Sequence, residues 1–402
     1  MIKQLLFLFL FSTSFAFGQQ ISLSAQAQAS VLTMGPGQSL FDSFGHSAIR
    51  LHDQALGIDV VYNYGVYDFS DPNFYAKFAM GKMRYLLDRK PTEPFLSNYV
   101  EDNRWIKEQI LNLNTAEVQQ LFEFLEDNLK PENRAYDYDF FYDNCATKIP
   151  ELINKMVTGG IKIDSSFIST PKTHRSLVQE NVHWNTWGSF GMDLGIGAVT
   201  DRIASPTEHL FLPNNVYLAL AKTTRNNGPE PQNIVKASKD LFVNNPVAPK
   251  SDGLTSPLVV MGLLALFIVW ITFRDAKKDQ RSKWLDVAIA AVTGIIGIIL
   301  LLLWFATDHS TTANNYNVLW AFPFSIFIVL QLRKSNPKLW VQGFLKFLLI
   351  CMALLTMHWL IGIQAFAYAL IPLLIALVIR YVYVLKYLKK HTLLPAVEDN
   401  GA

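Results

Sequence analysis

Three residues from separate points of the 402-residue chain have side chains that can do chemistry together. Cys145, one of two cysteines, lies in Phe140-Phe141-Tyr142-Asp143-Asn144-Cys145-Ala146-Thr147-Lys148-Ile149. A thiol nucleophile needs a base that takes its proton and returns it to the leaving group, and imidazole does this near neutral pH. Of the eight histidines, His46 is best placed, because it opens an amphipathic strand directly after a glycine in Phe44-Gly45-His46. A third group must orient the ring through its other nitrogen. Asn63, on the next strand, is in reach if the two strands form a hairpin; Asp59 and Asp68 are weaker alternatives. Each residue also has a plainer reading. Free cysteine is often a small buried hydrophobe, His46 can simply bond a neighbouring carbonyl, and asparagine is common at turns and strand ends.

Other chemistries find no support. The sequence has no His-x-x-x-His or Cys-x-x-Cys spacing for zinc, no Gly-x-Ser-x-Gly elbow and no phosphate loop, so neither a metal nor an organic cofactor is expected. Lys+Arg 35 against Asp+Glu 33 leaves a net charge of +2, which argues against a nucleic-acid partner. Half of the residues are hydrophobic and 17% charged, too apolar for an ordinary soluble chain of this length, and the charges gather before residue 255.

The elements that must position these residues fall in the first part. Residues 1–18 carry one lysine, a short apolar run and small residues near its end, the pattern of a secretory signal peptide. Residues 19–253 read as a globular domain. Ser30–Met34 and His46–His52 have strand character, with Ile49 and Leu51 alternating against Arg50 and His52, and Ile58–Gly65 is the return strand. Asp71-Pro72 opens a helix carrying Phe74 and Phe78. Strand character returns toward Leu113. Asn114-Thr115-Ala116-Glu117 is a capping box, followed by Val118, Leu121, Phe122, Leu125 and Leu129 at helical spacing up to Pro131. A helix runs from around Cys145 to Val157, closed by Gly159-Gly160. Pro150 requires it to start late, near Thr147, or to kink; either way Cys145 sits at a helix N-terminus, where free amides favour a thiolate. Asp143 and Asn144 are expected to shape the turn that presents it. Asn226–Ser251 reads as a linker.

After Gly253 the pattern changes. Apolar runs near 257–273, 284–306, 317–332, 339–357 and 360–385 are each about long enough to span a bilayer, so residues 254–390 read as five transmembrane helices, with a tail at 391–402. Arg274, Lys277, Lys278, Arg281 and Lys283, then Arg333, Lys334 and Lys338, then Lys386, Lys389 and Lys390 mark the cytoplasmic side, and the loops around 307–316 and His358 lack Lys and Arg. The C-terminus is therefore expected in the cytoplasm and the domain with Cys145 outside, which leaves Cys145 without a disulfide partner. Cys351 is expected to pack mid-span, and Arg380 and Lys346 to snorkel to the inner interface.

Phe44-Gly45-His46-Ser47-Ala48-Ile49-Arg50, Tyr62-Asn63-Tyr64-Gly65-Val66-Tyr67-Asp68-Phe69 and Phe140–Thr147 together resemble the periplasmic domain of the Bacteroides-type lipoprotein N-acyltransferases (Lnb). The His-first, Cys-last order also resembles circularly permuted papain-like domains of the NlpC/P60 and lecithin:retinol acyltransferase group. Asp201-Arg202, Phe211-Leu212-Pro213, and the loop from His309 to Asn317 followed by Leu319-Trp320 extend the resemblance. It implies an α+β permuted papain-like periplasmic domain followed by an all-α bundle of five transmembrane helices. It further implies transfer of an acyl chain from a membrane phospholipid to the α-amine of a lipoprotein's diacylglyceryl-cysteine at the inner membrane, with His46, Asn63 and Cys145 as triad. On the outer loop, His309, Asn314, Asn317 and Trp320 are candidates for contact with head group or lipoprotein, or else an interfacial loop with an aromatic anchor. Two other functions stay open. The same triad suits a membrane-anchored amidase or lipid esterase with water as second nucleophile, and a non-enzymatic binding or assembly factor would hold Cys145 buried and inert.

Overall fold

A computed structural model describes residues 21–67, 73–226, 231–246 and 252–392. The expected signal peptide, Asp68, Asp71-Pro72 and most of the C-terminal tail lie outside the described residues. The strands are β1 (Gln28–Met34), β2 (His46–Asp53), β3 (Ile58–Tyr67), β4 (Arg84–Pro91), β5 (Ile106–Leu111), β6 (Ala135–Asp137), β7 (Ile161–Lys162), β8 (Thr224–Arg225) and β9 (Val235–Phe242). Seven form one sheet in the order β6-β4-β3-β2-β1-β5-β9, every neighbouring pair antiparallel, while β7 and β8 pair separately.

The helices before the membrane region are α1 (Phe74–Ala79), α2 (Thr92–Glu101), α3 (Thr115–Asn128), α4 (Lys148–Met156), α5 (His174–Gln179), α6 (Trp187–Gly195) and α7 (Pro213–Leu220). Strand alternation decides which side each residue serves. Ile49, Leu51, Tyr62 and Tyr64 face one side and pack with Val118, Leu121, Leu125, Ile149 and Ile153 of α3 and α4. Ala48 and Val61 face the other and pack with Phe95 of α2. The capping box at α3 forms as its sequence requires: Asn114 Oδ1 accepts from Glu117 N–H at 2.9 Å, and Glu117 Oε2 accepts from Asn114 N–H at 3.0 Å.

The stretch read as a linker is partly an edge strand: β9 lies within it and pairs with β5 over Ile106–Leu111. Its sequence Val-Lys-Ala-Ser-Lys-Asp-Leu-Phe is largely solvent-exposed, so it lacks the apolar alternation that marks a half-buried strand, and its lysines suit an edge.

The C-terminal region contains α8 (Pro257–Lys277), α9 (Lys283–Phe305), α10 (Ser325–Leu332), α11 (Trp340–Leu360) and α12 (Ile371–Thr392). Among the described residues four helices are long and apolar enough to cross a membrane, rather than the five expected. The run over 317–332 is divided: Tyr316–Leu319 is a single 3-10 turn, Pro323 follows, and α10 has only 8 residues. Cys351 is buried within α11. Arg380 does not snorkel. Its side chain is buried and bonds Asp286 Oδ1 of α9 at 2.7 Å and Asp275 Oδ2 of α8 at 2.8 Å, tying three spans together. A charge withdrawn from water is tolerated where partners satisfy it.

The two parts interlock. Gly197 N–H bonds Thr311 O at 2.8 Å and Ala198 N–H bonds Asn314 O at 3.0 Å. Asn315 donates to Leu194 O at 2.7 Å and Asn317 to Asp193 O at 3.1 Å. Beneath this seam Arg175, fully buried, holds Asp193 and Asp201, and Asp201 in turn accepts from Ala365 N–H.

Candidate active site

The site lies where two strands part. β2 and β3 pair from Asp53↔Ile58 to Ile49↔Tyr62 and no further; β3 then bulges between Tyr64 and Val66 as it follows β4. Gly65 occupies the bulge with φ +97°, a conformation open to glycine. The fork leaves His46 and Ser47, at the start of β2, unpaired on the β3 side, and the turn carrying Cys145 enters there. A Cβ placed on Gly65 would stand 3.7 Å from His46 Cε1 and 3.8 Å from Cys145 Cβ, so this glycine faces the gap between imidazole and thiol.

His46 and Asn63 share the α2 side of the sheet. Asn63 Oδ1 is 2.6 Å from His46 Nε2. With an acceptor at Nε2, that nitrogen carries the hydrogen and Nδ1 is left for the thiol. Tyr99 of α2 stacks on the imidazole, ring centroids 6.3 Å apart and planes within 12°. The Tyr99 ring is itself covered by the Arg104 guanidinium at 4.7 Å, whose Nε donates to Gly35 O.

Asn144 builds the turn for Cys145. Its Oδ1 accepts from the backbone N–H groups of Ala146 at 2.8 Å and Thr147 at 2.9 Å, and its Nδ2 donates to the carbonyls of Phe140 at 2.8 Å and Phe211 at 2.9 Å. All the side-chain bonding capacity of this buried residue is thereby engaged. The helix behind starts late, at Lys148, which places Pro150 in its first turn, where no intrahelical N–H is needed. Asp143 does not reach the thiol: it pairs with Lys148 Nζ at 2.7 Å and closes a backbone bridge with Asp139. Burial raises the Asp143 carboxyl above its ordinary value, more than the Lys148 charge lowers it.

Electrostatics favour an ion pair. Burial by itself pushes the Cys145 thiol up, but the charge of His46, a hydrogen bond to it and backbone N–H groups of Ser47 and Ala146 bring it below the ordinary thiol value. Burial depresses His46, yet the charge of Cys145 with bonds to Cys145 and Asn63 raises it above the ordinary imidazole value, against a smaller opposing effect of Arg104. A thiolate beside an imidazolium is the nucleophile–base arrangement of acyl transfer.

The other sequence candidates lie elsewhere. Asp59 is held by Arg50 and Thr92. His309 sits over Gly81, where an added Cβ would meet His309 N at 2.7 Å. Its neighbour Ser310 reaches the site's turn, with Oγ bonding Asp139 Oδ2 at 2.7 Å while Asp139 Oδ1 accepts from Phe141 and Tyr142 N–H. Asn317 and Trp320 are buried and bonded to each other at 2.9 Å, so they are seam residues.

Residues 18–180 match the family model of the Lnb N-terminal periplasmic domain, and residues 249–392 match that of the Lnb transmembrane domain. The chain belongs to the Lnb family. No curated protein and no solved structure matches it. As an Lnb protein it is a membrane protein with a periplasmic domain, sheet-rich at its N-terminal side and helical after it. Sequence reasoning gave no role in this candidate site to Gly65, Tyr99 or the Phe211 carbonyl. A glycine within a strand pattern is a signal for a bulge and gives Gly65 away. Tyr99 and Phe211 come from an unrecognised helix and from a carbonyl, which carries no residue-type signature.

Proposed function

We propose that this chain is a cysteine-dependent lipoprotein N-acyltransferase that takes an acyl chain from a membrane phospholipid and passes it to the α-amine of a lipoprotein's diacylglyceryl-cysteine. The observation that carries the reading is the grouping of Cys145, His46 and Asn63 at the β2–β3 fork, in a domain bonded directly to membrane helices. The Cys145 thiolate attacks the ester carbonyl carbon and its charge passes to the carbonyl oxygen. The Cys145 backbone N–H, which has no hydrogen-bond partner among the described residues, is available to that oxyanion. Collapse breaks the ester C–O bond, and the His46 imidazolium protonates the departing lysolipid alkoxide. The lipoprotein amine then attacks the thioester, neutral His46 takes its proton, and the thiolate leaves. Phe44, Phe140, Phe141 and Phe211 crowd the turn and keep water from the thioester.

Several features agree with this role. A histidine opening one strand, an asparagine on the next and a cysteine just before a helix is the order of a permuted papain-like domain, and we assign the fold so. The basic loops put the C-terminus in the cytoplasm, and residues 1–18 act as the export signal. The test is mass spectrometry of lipoprotein N-termini from cells carrying Cys145→Ser or His46→Ala. The expected result is diacylated lipoproteins, with the variant protein at normal level in the membrane. Triacylated N-termini in the Cys145→Ser strain would sink the reading.

A further inference from the structure

An apolar groove of about 290 Å³ runs between α8, α9 and α12. Its single hydroxyl side chain, Thr293, is turned onto the Ile289 carbonyl at 2.8 Å and presents only carbon. Leu264, Phe267, Trp284 and Val292 on its rim are exposed on helices long and apolar enough to cross a membrane, so the groove opens to lipid. Along α9 the lining runs from Trp284 to Ile296, roughly 18 Å at 1.5 Å per residue. Met261 and Leu370, near the ends of α8 and α12 next to the catalytic domain, place the groove's upper end beneath that domain. The groove also has a roof outside the spans: Phe190 and Leu194 of α6 line it, together with Trp320.

The roof connects groove and chemistry. α6 turns Phe190 into the membrane cluster and Met192 into the aromatic cluster of Phe140, Phe141 and Phe211 that surrounds the Cys145 turn. One helix therefore has the groove on one face and the surroundings of the nucleophile on another. We infer that the groove is the seat of a phospholipid acyl chain, holding the donor lipid under α6 with its glycerol end toward the catalytic domain. The occupant follows from the chemistry: the lining turns no polar surface into the groove, the mouth faces hydrocarbon, and the length fits one chain. This inference rests on the acyl-transfer reading for its link to Cys145, but binding in the groove needs no catalysis.

The experiment separates the two. Full-length protein in nanodiscs, as Cys145→Ser, is photolysed with a phosphatidylethanolamine bearing a diazirine midway along one acyl chain, and adducts are mapped by mass spectrometry. Adducts are expected on Met261, Phe190 and Leu373, falling at least fivefold in Ala288→Trp, which fills the groove, and unchanged in Ile299→Trp on the outer surface. In the Cys145-containing protein, Ala288→Trp is expected to raise the donor KM severalfold for a long-chain lipid and less for a short-chain one. Adducts confined to outer-surface residues, or insensitive to Ala288→Trp, overturn the groove whether or not transfer occurs. Groove adducts, together with no transfer by the Cys145-containing protein, uphold the groove and count against the acyltransferase reading instead.

Discussion

Asn144 donates its side-chain amide to the carbonyl of Phe211 at 2.9 Å, across 67 residues of chain. The bond ties the nucleophile's turn to the segment before α7, while the Asn144 carbonyl oxygen holds the amides of Ala146 and Thr147. Asn144→Ala strands two amides and two carbonyls at once. A buried unpaired polar group costs about 1–3 kcal/mol, and a lost cap costs about 1 kcal/mol, so a loss of ~2–4 kcal/mol is expected in denaturant unfolding of the purified protein, with acylation reduced more than tenfold. Asn144→Asp keeps the acceptor but sets a carboxylate against two carbonyls and close to the thiolate. It should retain more stability than the alanine variant and still lose activity. Unchanged stability in Asn144→Ala would show that the turn holds without its clamp.

The dyad predicts a pH dependence with a definite sign. A depressed Cys145 is a thiolate above its own lowered value, and a raised His46 stays charged to higher pH than usual. Both shifts favour the ion pair, which is lost as pH falls through the thiol step and as it rises through the imidazole step. These steps belong to the pair rather than to either residue. Iodoacetamide alkylation of Cys145 should half-saturate below the usual thiol value of about 8.5. In His46→Ala burial is left as the main influence, and the midpoint should move above that value. Asn63→Ala removes one of the bonds that raise His46 and should shift the upper step downward, with a rate loss of roughly 10- to 100-fold, below the full 10²–10⁴ range of acid–base catalysis. A midpoint indifferent to His46 would deny the pairing.

Gly65 offers a sharper test of the fork. Its φ of +97° is costly for any side chain, and the gap it faces holds both reacting groups. Gly65→Ala puts a methyl in ordinary contact distance of each, so the backbone strain of about 1–3 kcal/mol dominates. Gly65→Val should reach into the space a scissile ester must occupy. Alkylation by small iodoacetamide should survive in Gly65→Ala and acyl transfer should fall in both, most in Gly65→Val. Equal transfer by wild type and Gly65→Val would place the substrate elsewhere.

How much of this was legible in the sequence depends on where the information sits. The β2–β3 hairpin, the capping box and the late start of α4 follow from local rules: period-2 burial, an Asn-x-x-Glu signature and the missing N–H of Pro150. His46, Asn63 and Cys145 stood out because their chemistry is written in residue type, and the fold brings the three together. β9 and the division of the third apolar run, over 317–332, did not, because an exposed edge strand has no apolar alternation and hydropathy counts residues without counting the turn before Pro323. Arg380 was misplaced for a related reason. Its partners Asp275 and Asp286 lie about a hundred residues away on other helices, and nothing in the local sequence announces a three-span ion cluster.

The seam between the two parts yields the last prediction. If the membrane helices only anchor the domain, weakening the seam should leave chemistry intact; if they present the lipid, it should not. A Cβ on Gly197 would stand 1.9 Å from Ala313 O, far inside contact distance, with backbone rather than a flexible side chain opposite. Gly197→Ala must push the loop at 311–314 away and break the Gly197–Thr311 and Ala198–Asn314 bonds. The β2–β3 fork lies in a separate cluster of the sheet and should keep its geometry, so iodoacetamide should label Cys145 with an unchanged pH midpoint. Acyl transfer from phospholipid in nanodiscs should nevertheless fall at least tenfold, with limited proteolysis newly cutting near residue 313. Intact transfer alongside new proteolysis would reduce the bundle to an anchor; lost labelling would mean that the seam also holds the catalytic turn, through the Ser310–Asp139 bond.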